Sequence, residues 1–268
     1  MRRAGLCYPP CVTVTSPPQK ASAVRAAAAV RPATAVRHCA LVRVTHWLTF
    51  ISFVALLVTG TEIVISHPRF YWGETGNVNM QPLFTLPIPS SRDTVPTGYG
   101  YVMPDQNGWS RYLHFEAAWV LVLAGLVYGI YGVASGHFRK NLLPLRRDWN
   151  WRAYRERIAK YLRRRPPNLE EDRSYNVLQR TAYLAVIFIL FPLVIWTGLA
   201  MSPTFTAAFP ATAALLGGRQ SARTIHFFVS WLLLIFLIVH VTMVALSGFW
   251  RRVRAMITGY AQDSEEAR

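Results

Sequence analysis

Four long apolar stretches, at about residues 41–65, 112–133, 177–201 and 223–247, limit what this chain can become. Each supplies the roughly 20 residues an α-helix needs to cross about 30 Å of hydrocarbon. Lipid offers no hydrogen bonds, so backbone groups must be satisfied within the segment, and runs of this length are read as transmembrane helices. Composition alone, at 52% hydrophobic and 16% charged residues, would also fit a soluble domain; the distribution decides. The expected fold class is all-α, an integral membrane four-helix bundle. Pro192 lies inside the third stretch and predicts a kink there.

A net charge of +16 can signal nucleic-acid binding, but here the basic residues cluster beside the spans. Residues 1–40 hold six Lys/Arg and residues 138–176 hold twelve, against two in 66–110 and one in 202–222. By the positive-inside rule the N and C termini and the middle connection are cytoplasmic. The basic surface is expected to meet anionic membrane lipid, and no nucleic acid. In the middle connection, Asp148 is a candidate N-cap, and Trp151, Tyr154, Ile158 and Tyr161 recur near helical spacing. An interfacial amphipathic helix and a solvated basic helix both fit that pattern.

The expected organisation is a basic N-terminal tail over 1–36, a four-helix domain over 37–260 and a C-terminal tail over 261–268. The tail is rich in Ala, Val, Pro and Arg. It resembles a transit segment in composition without a signal peptide's apolar run, and a start placed too far upstream explains it equally well. Cys7, Cys11 and Cys39 form neither a disulfide framework nor a CxxCH motif, so covalent attachment of a c-type haem is excluded.

The spans carry histidines. His226 and His240 stand fourteen residues apart in SARTIHFFVSWLLLIFLIVHVTMVAL. At 100° per residue they share one face, and at 1.5 Å per residue they lie about 21 Å apart, towards opposite sides of the membrane. With the orientation above, His46 enters at the depth of His240, and His114 at the depth of His226. A lone histidine in a span is commonly a satisfied polar group. Four that pair by depth across three helices point to bis-histidine ligation of two non-covalent b haems, with a proton relay or polar packing as the alternatives. Zinc would need a tetrahedral set that these pairs cannot supply.

Glycines bear on whether something bulky sits between the helices. Gly125, Gly129, Gly132 and Gly136 make a stripe on the second span that also contains His114, and Gly60 shares the face of His46. Small residues opposite a ligand leave room for a macrocycle, although ordinary small-residue helix packing gives the same stripe.

The segments RVTHWLTF, HPRFYWGE, RYLHFEAAW, SGHFRKNLLP, GLAMSP, GGRQSARTIHF and LIVHVTMV together resemble the bacterial cytochrome b561 and nickel-hydrogenase cytochrome b superfamily. Within it the chain is most similar to thiosulfate-reductase-type cytochrome b subunits. The likeness covers about residues 37–260, and its most specific element is the histidine spacing in the fourth span; the N-terminal extension departs from it. The resemblance implies a dihaem membrane anchor that passes electrons between a quinone pool and a partner oxidoreductase, with a molybdopterin-containing subunit as the expected partner.

The chain has no CxxC array, no GxGxxG and no hydrolytic constellation, so no catalytic residue is assigned and chemistry on a final substrate falls to another subunit. A haem-free transporter or proton pathway, and a self-sufficient quinol or ferric reductase, are the competing functions. Arg219 and Arg223 precede His226 by seven and three residues and are candidates for holding haem propionates, with interfacial anchoring as the alternative. His137 and Arg43 are candidate quinone-site donors near the cytoplasmic boundary. The long connection over 66–110 carries Phe70, Tyr71, Trp72, Phe84, Tyr99 and Tyr101. These are expected to be displayed for a periplasmic partner, to close over a haem or to sit at headgroups.

Overall fold

The computed structural model of the chain describes residues 38–77, 79–88, 106–143 and 177–260, with 150–152, 154–155 and 159 between them. The N-terminal tail, Cys7, Cys11, Tyr99, Tyr101, the C-terminal tail and most of the amphipathic segment after Asp148 lie outside the described residues. In chain order come α1 (Ala40–Ser66), a hairpin of β1 (Arg69–Phe70) and β2 (Phe84–Thr85), α2 (Gln106–Ala134) and a π-helical turn (Phe138–Leu142). They are followed by α3 (Val177–Ala185), a second π turn (Val186–Leu190), α4 (Phe191–Met201), α5 (Pro203–Ala208), α6 (Ala211–Ala214), α7 (Arg219–Leu246) and α8 (Phe249–Thr258).

Among the described residues, four helices are long and apolar enough to span a membrane: Ala40–Ser66, Trp109–Ala134, Leu178–Met201 and Arg219–Leu246. The third is composite. Pro192 has no N–H to donate, and the turn before it widens so that the Phe191 amide reaches the carbonyl of Val186, five residues back. The irregularity expected at the proline thus takes the form of a π turn.

The burial pattern is that of a molecule surrounded by lipid. Thr59, Thr197, Ser110 and Ser221 are fully buried, while Ile130 is 62% exposed and Val133 75% exposed on the second span. A small hydroxyl residue can hide by bonding a carbonyl of its own helix, as Thr59 does to Ala55 at 2.7 Å and Thr197 to Leu193 at 2.8 Å. Isoleucine and valine gain nothing by hiding from hydrocarbon, whereas such exposure would be costly in water.

Contacts divide the chain into two units, one of residues up to Trp47 together with those from His240 onward, the other from Leu48 to Val239. In the first unit Gly248, at φ +92°, ends the last span and starts α8. The far end of α8 is tied to the start of α1. Arg43 Nη1 donates to the carbonyl of Ile257, Trp47 Nε1 donates to Met256 at 3.2 Å, and the His38 amide donates to Gly259. Gly259, at φ +91°, lies where a Cβ would stand 3.1 Å from the His38 carbonyl oxygen and 3.2 Å from Arg43 Cζ.

In the second unit an apolar cluster of Val186, Val229 and Leu233 packs with Phe53, Leu190 and Phe236. The hairpin docks on the first turns of α7. The Gly73 carbonyl accepts from the amides of Gln220 and Ser221 at 3.0 and 3.2 Å, while Ser221 Oγ accepts from the Gly73 amide at 2.8 Å. Helix-start amides without an intrahelical partner are thereby satisfied by another segment. Phe70 stacks on Phe84 with centroids 4.7 Å apart and meets Phe227 at 4.6 Å.

Gly218 is where this clasp is tightest. Its φ is +110°, and a Cβ there would lie 2.4 Å from the Gly73 carbonyl carbon. Gly218→Ala is therefore expected to cost at least the about 1–3 kcal/mol of a strained backbone and to push the hairpin off α7. Limited proteolysis in detergent should then show cleavage near residues 73–77 that the parent chain resists.

Candidate functional site

The structure brings the intramembrane histidines together as two pairs. His46 on α1 faces His240 on α7, with ring centroids 6.4 Å apart and planes at 52°. His114 on α2 faces His226 on α7 at the same 6.4 Å, with planes at 57°. Two imidazoles on opposite sides of one metal, each with a bond of about 2 Å, place their centroids about 6.3 Å apart. Both pairs match that separation. His46 Nδ1 is also buried without a hydrogen-bond partner. Among the described residues no cluster of three His, Cys, Asp or Glu occurs, which leaves a tetrahedral zinc site incomplete at either pair. The donor set fits haem iron, which accepts two axial imidazoles.

The His114–His226 pair is held by a feature that appears twice. Thr59 Oγ1 lies 2.9 Å from His114 Nδ1, and Thr197 Oγ1 lies 2.9 Å from His226 Nδ1. The residue after each threonine is a glycine. A Cβ on Gly60 would stand 3.6 Å from Cε1 of His114, and one on Gly198 would stand 3.6 Å from Cε1 of His226. Neither threonine, nor Gly198, is evident from sequence periodicity. The available signal was the dipeptide Thr-Gly in both VTGTE and WTGLA, in the first and third spans.

The glycines of the second span divide by what faces them. Gly125 and Gly129 have nothing within 4 Å of an added Cβ and line a shallow apolar groove of about 580 Å³ with Leu126, Ile130, Val133 and Ala134. Gly132 does not belong with them. The Phe138 ring lies 2.2–2.5 Å from where its Cβ would be, so that glycine makes room for an aromatic side chain of the same unit. Gly136, at φ +68°, turns the chain after α2.

His137 follows that turn and sits among Tyr128, Tyr131 and Phe138, with centroids 6.1, 6.0 and 6.3 Å away. Burial there lowers its pKa below the ordinary histidine value, which keeps the ring neutral at neutral pH. Arg43 is engaged with the α8 carbonyl described above. Arg219 donates to Thr206 Oγ1 at 2.9 Å and stands 4.0 Å from Glu74. Arg223 donates to the carbonyls of His67 and Arg69 and lies 4.8 Å over the Phe70 ring. Its acceptors are neutral, so among the described residues no carboxylate balances its charge.

The aromatic connection also differs from its expected display. Phe70 is 1% exposed and Tyr71 7% exposed against α7, and Thr224 Oγ1 donates to the Tyr71 carbonyl at 2.8 Å. Trp72, 58% exposed, is the one of the three consecutive aromatics that faces outward. Phe70 and Tyr71 are both buried where the segment docks on α7, which the count of aromatics could not reveal.

A bundle of membrane helices whose last span supplies one imidazole to each of two facing pairs has the architecture of a transmembrane b-type cytochrome. The chain belongs to the prokaryotic cytochrome b561 family, whose model matches residues 37–259. It is similar to a putative protein-methionine-sulfoxide reductase subunit, YedZ1, of Azospira oryzae, with 32% identity over 226 residues, 82% of this chain and 94% of the relative. It is also similar to a probable Ni/Fe-hydrogenase B-type cytochrome subunit of Cupriavidus necator, with 26% identity over 235 residues, 82% of this chain and 84% of the relative. The chain is thus a multi-pass bacterial inner-membrane protein, a haem-b electron-transfer subunit.

The contact at Gly198 gives a graded test. Alanine adds a methyl at ordinary van der Waals distance from His226, whereas leucine must displace the ring. Gly198→Ala is expected to keep the haem content of isolated membranes, and Gly198→Leu to lower it, read by the pyridine haemochrome assay.

Proposed function

We propose that the protein carries two b haems, one on His46 and His240 and one on His114 and His226, and moves electrons between membrane quinone and a partner oxidoreductase subunit. The observation that carries this reading is the equal 6.4 Å separation of the two pairs, each suited to one iron. Haem, when bound, supplies one-electron cycling of its iron. The protein's own residues hold the imidazoles, exclude water from them and balance charge. Gly60 leaves space beside His114, and the groove along Gly125 and Gly129 is open to a flat apolar group. Arg223, with no carboxylate partner among the described residues, is suited to a propionate, and Arg219 is a weaker candidate because Glu74 already approaches it.

The charge distribution supports cytoplasmic termini, which puts His114, His226 and the hairpin on the periplasmic side. A partner there would meet that pair first, with Trp72 as an exposed aromatic anchor on the hairpin. Quinone would then exchange electrons near His46 and His240, with Arg43 of that unit as a candidate donor; His137, in the other unit, is a candidate donor from the sequence alone. The Azospira relative favours a methionine-sulfoxide-type reductase as the partner over a thiosulfate-type one, and a molybdopterin cofactor in that partner follows from the family resemblance.

Replacing either member of a pair by alanine is expected to remove one haem of two, halving the haem bound per chain. His46→Ala and His240→Ala should lose the same haem by α-band spectrum, and His114→Ala and His226→Ala the other. Loss of a haem in His137→Ala with both retained in His46→Ala would refute the first pairing. Cross-linking in intact membranes tests the docking side: capture of the partner through residues 66–88 is expected, and capture only through residues 139–176 would move it to the cytoplasm.

A further inference from the structure

We infer that Thr59 and Thr197 are positioning residues that fix the tautomer of His114 and His226 and so lower the redox potential of the iron these histidines hold. The inference rests on the proposed ligation by that pair. It starts from the single proton of a hydroxyl group. Thr59 Oγ1 lies 2.7 Å from the Ala55 carbonyl and Thr197 Oγ1 lies 2.8 Å from the Leu193 carbonyl, each four residues back in its own helix. A carbonyl oxygen can only accept, so the hydroxyl proton is directed there.

The same oxygen then has lone pairs alone to offer the imidazole 2.9 Å away. Nδ1 must therefore be the N–H of that contact. A neutral imidazole carries one proton, which leaves Nε2 with the free lone pair that a metal requires. The adjacent glycine completes the cradle by leaving Cε1, the carbon between the two nitrogens, unobstructed.

Recurrence separates this arrangement from ordinary helix satisfaction. Threonine back-bonding to its own helix is common in membranes and by itself implies nothing. Here the same dipeptide on two different spans meets two different histidines at matching distances, 2.9 and 2.9 Å to nitrogen and 3.6 and 3.6 Å to carbon. His46 Nδ1, in the other pair, has no such partner. A ligating imidazole that donates its second N–H to an oxygen is a stronger base towards the metal. A more basic ligand favours the ferric state, which lowers the potential.

The test uses the full chain in native membranes, with Thr59→Val, Thr197→Val and the two serine variants, each titrated optically against potential. The haem to follow is the one lost in His114→Ala. Each valine variant should raise that haem's midpoint potential, the double variant should raise it further, and serine should restore the parent value. The other haem should not move. Unchanged potentials at full haem content in the double valine variant would overturn the inference and leave the pairing intact, whereas full haem content in His114→Ala and His226→Ala would overturn the pairing itself. If valine abolishes haem binding, serine decides. Recovery of haem at the parent potential supports the hydroxyl acceptor, and loss in serine as well assigns the effect to packing of the threonine methyl and rejects the inference.

Discussion

An imidazole placed in hydrocarbon has two polar nitrogens that lipid cannot satisfy, and the organisation of this bundle follows from how they are met. Histidines on three different helices approach in facing pairs, and the separation of each pair suits two ligands on one metal. In the His114–His226 pair the nitrogens on the far side are also met, by hydroxyls that are themselves anchored to their own helices. The buried polar atoms thus form short closed chains from helix carbonyl to hydroxyl to imidazole. Only the other ring nitrogen is left over, which suits it to hold a metal away from water under the proposed ligation.

Each unit also has a covering segment that works by carbonyl rather than by side chain. In one, the last turn of α8 gives its carbonyls to Arg43 and Trp47. In the other, the hairpin gives carbonyls of His67, Arg69, Tyr71 and Gly73 to residues of the first turns of α7. Both closures need glycine in a left-handed conformation, Gly259 in the first and Gly218 in the second, because backbone or a guanidinium occupies the space a Cβ would take. Rigidity at the start of α7 matters chemically, since His226 lies within two turns of it and its ring position sets one side of the ligand pair.

Much of this was legible in the sequence, and the rest was hidden for identifiable reasons. The spans could be read because twenty apolar residues have few other uses, and the facing of His226 and His240 because helical period alone fixes it. Thr59 and Thr197 could not, since threonine in a span is ordinary until its neighbour across the bundle is known. A glycine stripe looks the same whether a macrocycle or a phenylalanine faces it, which is why Gly132 needed the position of Phe138 to be understood. Arg223 had the right face and spacing for an anion, but the carbonyls that end the hairpin come from a segment more than 150 residues earlier. Phe70 and Tyr71 were indistinguishable from Trp72 until docking on α7 sorted the buried from the exposed.

The two pairs are alike in separation, and His114 and His226 each have a hydroxyl at Nδ1 where His46 has none. Where both distal nitrogens donate to hydroxyl oxygens, the ligands are strengthened and the oxidised metal is favoured. Under the proposed ligation, the two hydroxyl groups would lower the potential of the iron held by His114 and His226, without changing the type of ligand. Hydrogen bonding in the second layer is an economical control in a membrane, because a charged residue placed there to the same end would carry a far larger cost of burial.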